Sequence, residues 1–135
     1  MESISAFEII KIGIGPSSSH TMGPWRAAER FIQVIKSKFE ITEVVEITTT
    51  LFGSLAKTGL GHGTDIAVMM GLTGENFTKI DTDSIPQKIE DIKNSKSLNL
   101  NGENEIPFEY SQHIIFDFNK SLDFVSIFFK YEMSV

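Results

Sequence analysis

Two glycine-bounded segments of the 135-residue sequence carry the side chains best suited to chemistry. In the first, residues 15–24, hydroxyl and imidazole groups follow one another directly: Ser17, Ser18, Ser19, His20 and Thr21. This segment leads into a helical pattern, and the free N–H groups at a helix start attract anions. The spacing predicts a loop that holds a carboxylate or a phosphate. The alternative is a serine-rich turn that only caps the helix.

The second segment covers residues 53–65, where His62 stands between Gly61 and Gly63 immediately before another helix start. A histidine between glycines is open to other groups on either side, and its pKa near neutrality suits proton transfer. Lys57 supplies a positive charge for a substrate carboxylate. The alternative is a flexible loop with a helix cap.

The other potential metal ligands give no pattern of their own. His113 opens a strand-like run without a partner and is expected to be structural or at the surface. No spacing of the three histidines matches a known metal motif. The sequence has no cysteine, so disulfides and thiolate metal sites are excluded for this chain, and no metal ligand is predicted in it.

The first half of the chain predicts three elements that would position the two segments. Apolar residues over 4–14 predict an extended opening. Apolar residues recur at helical spacing and predict a helix over 22–38: Ala27, Ala28, Phe31, Val34, Ile35 and Phe39. The β-branched run 43–52 predicts a strand.

In the second half, Thr64 and Gly71 predict the cap and the stop of a helix over 65–70. Ser84 followed by Gln87 has the spacing of a capping box and predicts a helix over 86–94. Asn101-Gly102 predicts a tight turn. The runs 113–118 and 124–131 predict an antiparallel hairpin. The fold class is α/β in the α+β sense: one domain over 1–135, with helices packed on a mostly antiparallel sheet.

Composition excludes several function classes. The formal net charge is -6, which argues against binding to nucleic acid or to anionic membrane surfaces. No targeting segment and no apolar run long enough to span a bilayer is visible. We therefore expect a cytoplasmic protein.

Taken together, the two segments resemble a known family. Residues 7–24, Phe-Glu-Ile-Ile-Lys-Ile-Gly-Ile-Gly-Pro-Ser-Ser-Ser-His-Thr-Met-Gly-Pro, and residues 53–65, with Gly-Ser-Leu-Ala-Lys-Thr-Gly and Gly-His-Gly-Thr-Asp, are similar to the two signatures of the beta domain of bacterial iron–sulfur L-serine dehydratases. The resemblance is strong over about residues 4–75. It implies a fold like the allosteric substrate-binding domain of D-3-phosphoglycerate dehydrogenase.

The family resemblance implies a two-part enzyme that converts L-serine to pyruvate and ammonia. A larger alpha domain or chain carries the cysteines that bind a 4Fe–4S cluster, so this chain alone is expected to bind no cofactor and to be inactive. The serine-rich residues and Lys57 would face substrate, an anion or the domain interface, and His62 would be catalytic. The complete enzyme is expected to be a homo-oligomer.

The sequence departs from the family pattern near its end. Where relatives have a Pro-Phe-His-Pro-Asn-Gly-Met-like stretch, residues 107–113 read Pro-Phe-Glu-Tyr-Ser-Gln-His. The chain also stops short of a glycine-rich segment, so we expect a piece of a longer protein. The second hypothesis is a non-catalytic regulatory module that binds a small carboxylate or phosphate.

Overall fold

The computed structural model describes residues 3–14, 22–56, 63–118 and 123–134. The strands follow the order β1 (Ser3–Gly13), β2 (Val44–Phe52), β3 (Ser97–Leu100), β4 (Asn104–Pro107), β5 (Ile114–Asp117) and β6 (Phe124–Ser134). The α-helices are α1 (Met22–Lys38), α2 (Thr64–Leu72), α3 (Ile85–Ser95) and the single turn α4 (Tyr110–His113). Two 3₁₀ turns, Ile41–Glu43 and Thr82–Ser84, precede β2 and α3.

The main sheet has four strands in the order β1-β6-β2-β5. β6 pairs antiparallel with both β1 and β2, and β2 pairs parallel with β5. A separate two-stranded hairpin joins β3 and β4. The predicted α/β class, with helices on a mostly antiparallel sheet, is confirmed.

The core forms where α1 lies on the sheet. Four residues of the predicted apolar stripe are buried and two are partly buried: Ala27, Ala28, Phe31 and Ile35, and then Val34 and Phe39. The Phe31 ring packs edge-on against Phe129 of β6 at 5.4 Å between ring centroids. The helix predicted over 22–38 is therefore confirmed. Burying a side chain as large as that of Phe31 or Ile35 stabilises the fold by about 1.5–3 kcal/mol.

The opposite face of the sheet remains open among the described residues. Phe7 and Ile9 of β1 are 64% and 56% exposed, and Phe7 lies 5.3 Å from Phe128 between ring centroids. Phe52 and Phe124 stack on the same face at 4.2 Å. The sheet thus presents aromatic surface on the side away from α1.

The hairpin predicted from runs 113–118 and 124–131 is wrong. β5 pairs with β2, and β2 lies between β5 and β6. His113 belongs to α4 and does not open the strand. The apolar pattern of a short strand is the same beside a parallel or an antiparallel neighbour, so sequence alone favoured the adjacent run.

Three predicted helix signals are also wrong. Gly63, with a φ of 87°, is the N-cap of α2, and Thr64 is its first helical residue. α2 continues through Gly71 to Leu72. The Ser84 hydroxyl donates to the Asp81 carbonyl and the Gln87 amide donates to Asp91, so no capping box forms. For Ser84 and Gln87, nearby partners compete successfully for the side chains that a capping box would use.

The turn predicted at Asn101-Gly102 is confirmed. Both residues have positive φ, 52° and 68°, and the Glu103 N–H donates to the Leu100 carbonyl at 2.9 Å. This is the left-handed conformation that asparagine and glycine adopt at low cost in two-residue hairpin turns.

In the described part of the chain, no helix is long and apolar enough to cross a membrane.

Candidate functional site

Both motif segments begin at the same end of the main sheet. Gly13, the last residue of β1, and Phe52, the last residue of β2, both pair with Phe124, the first residue of β6. One strand separates β1 from β2, so these two strand ends lie about 10 Å apart. The chain therefore enters residues 15–21 and residues 53–62 from neighbouring points.

Asp123 ties these strand ends together. Its backbone carbonyl accepts from the Ile14 N–H at 3.1 Å. Its carboxylate accepts from the Ser54 N–H at 2.9 Å and from the Ser54 hydroxyl at 2.6 Å. A single residue before β6 thus fixes the exits of β1 and β2, and charge-assisted bonds of this kind are stronger than neutral ones.

The second segment re-enters described structure at the start of α2. The Ala67 N–H donates to the Gly63 carbonyl at 2.9 Å, which closes the first helical turn. Asp65 is 7% exposed in that turn, where a negative charge is favoured by the helix dipole. A buried carboxylate therefore lies three positions after His62, at the end of the second segment.

Tyr110 of α4 holds the Asp65 carboxylate. The Tyr110 hydroxyl donates to Asp65 Oδ2, and the Lys93 ammonium lies 4.3 Å from the centroid of the Tyr110 ring. Burial raises the pKa of the Tyr110 hydroxyl, and the hydrogen bond and negative charge of Asp65 raise it further. Tyr110 therefore stays protonated as a donor to Asp65.

Replacing Tyr110 by phenylalanine is expected to lower the free energy of unfolding at neutral pH by about 1–2 kcal/mol, because Asp65 loses its donor in a buried setting. The raised pKa means that the folded chain holds the Tyr110 proton more tightly than the unfolded chain, whose reference value is 10.0. The stability it gives is thus complete below pH 10 and declines as pH rises above 10. Urea denaturation from pH 7 to 11 should show the wild-type advantage over Tyr110→Phe shrinking only above pH 10.

A wild-type advantage that stays constant up to pH 11 would contradict this assignment. Tyr131→Phe is the matched control, because it removes the hydroxyl of a second tyrosine, one that packs against Phe39 at 4.4 Å between ring centroids. This substitution removes no donor to Asp65 and should not reproduce the effect of Tyr110→Phe.

His113 has a structural role, in line with the sequence interpretation. Its Nδ1 accepts from the Glu109 N–H at 2.8 Å, and its Nε2 lies 3.4 Å from a Glu46 carboxylate oxygen. The ring also lies 5.7 Å from the Phe108 ring between centroids. His113 therefore joins α4 to β2.

The seven predicted site residues lie outside the residues that the structure describes: Ser17, Ser18, Ser19, His20, Thr21, Lys57 and His62. Their roles stay predictions. Within the described ranges, no group of three histidine, aspartate or glutamate side chains is arranged to hold a metal ion.

Sequence reasoning missed the contacts that frame these segments. Asp123 and Ser54 are 69 positions apart, and Tyr110 and Asp65 are 45 apart. For Asp65, the sequence showed only its place in the first turn of a predicted helix. No local pattern predicted the contacts of Tyr110 or Asp123.

Comparison with known proteins identifies the family. The serine dehydratase beta chain family matches residues 5–132. This chain belongs to the serine dehydratase beta chain family. The match begins within β1, ends within β6 and includes β2 and β5 in full.

Named relatives agree with that assignment. The chain is 40% identical to an L-serine dehydratase of Streptomyces coelicolor over 90% of its length and 27% of the relative's. It is 44% identical to L-serine dehydratase 2 of Escherichia coli over 81% of its length and 24% of the relative's. It is 43% identical to an L-serine dehydratase of Helicobacter pylori over 90% of its length and 26% of the relative's. The chain thus spans about a quarter of the relatives it matches.

Proposed function

We propose that this chain acts as the beta domain of an L-serine dehydratase, which converts L-serine to pyruvate and ammonia together with an alpha part. The family match over residues 5–132 carries the proposal. The relatives are named L-serine dehydratases and are about four times as long as the matched region. The alpha part corresponds to the remaining length of such relatives.

An iron–sulfur cluster does not fit the residues of this chain. Protein-bound 4Fe–4S clusters are held by cysteine thiolates, and the sequence contains none. Nor do the described residues offer a cluster of three other ligands. We therefore assign the 4Fe–4S cluster of the complete enzyme to the alpha part.

The role that we assign to this chain is to hold the substrate and to move a proton. Dehydration of serine removes the Cα proton and the β-hydroxyl as water, and the resulting enamine tautomerises and hydrolyses to pyruvate and ammonia. His62 would take or orient the Cα proton, because an imidazole titrates near neutral pH. Lys57 and residues 17–21 would hold the serine carboxylate.

The described structure supports this division of labour. Both segments leave the sheet from strand ends about 10 Å apart, and Asp123 binds both exits. This spacing supports the proposal that residues 17–21 and His62 act on one small substrate. The rigid sheet beneath them would limit movement of the catalytic groups.

Reconstitution tests the proposal. The purified chain alone is expected to form no pyruvate from L-serine and to show no iron–sulfur absorbance. Adding the alpha part should produce pyruvate at a rate that saturates with the concentration of this chain, which coupled reduction by lactate dehydrogenase measures.

Two outcomes would contradict the proposal. Turnover of serine by the chain alone would remove the need for a second part. An alpha part that binds the chain but gains no activity from it would favour the second candidate, a regulatory module for a small carboxylate or phosphate.

A further inference from the structure

The two arginines of this chain lie together on α1. Arg26 and Arg30 are four positions apart, and the other ten cationic residues of the sequence are lysines. Positions i and i+4 lie on the same side of a helix, with Cβ atoms about 5–6 Å apart. The only guanidinium groups of the protein are thus concentrated in one place.

Both arginines line a cavity of about 430 Å³ between α1 and the edge strand β1. The other described lining residues are Lys11, Ile12, Gly13, Ile14, Gly23 and Ala27. Glu29 and Lys36 line a different hollow on α1, so the nearest acidic residue in sequence belongs to another side of the helix. The described lining of the arginine cavity contains no carboxylate.

The edge of β1 adds backbone donors to this cavity. The Ile14 N–H bonds to Asp123 on the β6 side, and hydrogen-bonded pairs alternate along an antiparallel ladder. The N–H and C=O groups of Gly13 and Lys11, two residues that line the cavity, therefore point to the edge of β1 that no described strand pairs with. The Lys11 ammonium itself lies 6.0 Å from the centroid of the Phe124 ring, on the open face of the sheet.

The described residues give the arginine pair no counter-charge within ion-pair distance. Within the described residues, neither guanidinium forms an ion pair, whereas Lys36, Lys88 and Lys96 each have a carboxylate within 4 Å. Like charges at i and i+4 destabilise a helix. A bound anion would remove this repulsion.

We propose that Arg26 and Arg30, with the free edge of β1, form a binding site for a small dianion, either a phosphate group or a dicarboxylate. Two planar guanidiniums one helical turn apart can each donate two parallel hydrogen bonds to an oxyanion. The pair matches two negative charges, and a single carboxylate engages only half of it. This inference does not depend on the dehydratase assignment, because it concerns the chain alone.

Calorimetric titration of the 135-residue chain tests the site. Inorganic phosphate, succinate and acetate are titrated separately in a phosphate-free buffer at constant ionic strength. Phosphate or succinate should bind at least about tenfold more tightly than acetate, since each charged hydrogen-bond set contributes that order of affinity. The tighter of the two dianions identifies the ligand class.

Substitutions place the binding site. Arg26→Gln and Arg30→Gln should each weaken the dianion by about tenfold or more, and the double variant should show no binding heat. Lys38→Gln removes the same charge from an exposed position in the last turn of α1 and should bind as the wild type does. In NMR spectra of the wild type, the Nε–H signals of both arginines should shift when the dianion is added. Thermal unfolding checks that each variant is folded.

Several results would overturn the proposal. One is equal affinity for acetate and the dianions. Another is wild-type affinity for the dianion in the double variant. A third is a loss of dianion affinity in Lys38→Gln as large as that in the arginine variants. Arginine variants that still bind phosphate but no longer assemble with an alpha part would assign the pair to a protein interface. Pyruvate formation in the reconstituted enzyme is measured separately, so failure of either proposal is recognised independently.

Discussion

Replacing His62 by alanine should slow pyruvate formation by the assembled enzyme about 10²–10⁴-fold, the usual contribution of a positioned acid–base group. The expectation rests on the place of His62 between two glycines, directly before α2, in a chain of the serine dehydratase beta chain family. Because glycines flank His62, we expect little packing around its ring. The substitution should therefore change the free energy of unfolding by no more than about 1 kcal/mol.

Matched measurements separate catalysis from structure at His62. Pyruvate formation is followed at equal iron–sulfur absorbance, and thermal unfolding of the isolated chain is compared. His113→Ala is the control: His113 contacts Glu109 and Glu46, so its loss should affect stability and leave turnover nearly intact. A His62→Ala enzyme that turns over at the wild-type rate would remove His62 from the mechanism, and a variant that fails to fold would make it structural.

The elements predicted correctly are those whose signals are local. α1 carries its apolar stripe within 17 residues, and β2 carries its β-branched residues within nine. The Asn101-Gly102 turn needs only two residues that tolerate positive φ. In each case the signal lies within the element itself, although the partners of α1 and β2 are distant in the sequence.

The features that sequence analysis missed depend on distant partners. β5 has four residues and pairs with β2, whose matching residues lie 65 positions earlier. Its short apolar run fits several neighbours equally well. The same holds for Asp123 with Ser54 and for Tyr110 with Asp65, because ordinary polar residues acquire their roles only when the sheet brings them together.

The wrong prediction at Gly71 shows how packing overrides a local signal. A glycine after an apolar helical run is typical of a helix stop. In α2, Gly71 instead lies inside the helix and faces α1, where an added Cβ would come within 2.6 Å of both the Ala28 Cβ and the Trp25 carbonyl oxygen. The residue is thus required by the close approach of two helices.

Gly71→Ala should accordingly lower the free energy of unfolding by about 2–3 kcal/mol, which corresponds to a fall of about 7–10 °C in Tm. Helix propensity alone would raise stability by about 1 kcal/mol, so the sign of the change decides between the two effects. The steric cost should dominate because one of the two close atoms, the Trp25 carbonyl oxygen, belongs to the backbone of α1. The Trp25 side chain is itself held by the hydrogen bond that its indole N–H donates to the Glu75 carbonyl at 2.9 Å. Urea and thermal denaturation of the purified chain measure the difference.

Two further variants make the test of Gly71 specific. Gly13→Ala introduces the same methyl group where nothing lies within 4 Å, so it should change stability far less. Adding Ala28→Gly to Gly71→Ala removes one of the two clashes and should recover part of the loss, while the contact with the Trp25 carbonyl remains. A Gly71→Ala chain as stable as the wild type would mean that α1 and α2 can separate at little cost, and the close helix crossing would then not be what selects glycine at this position.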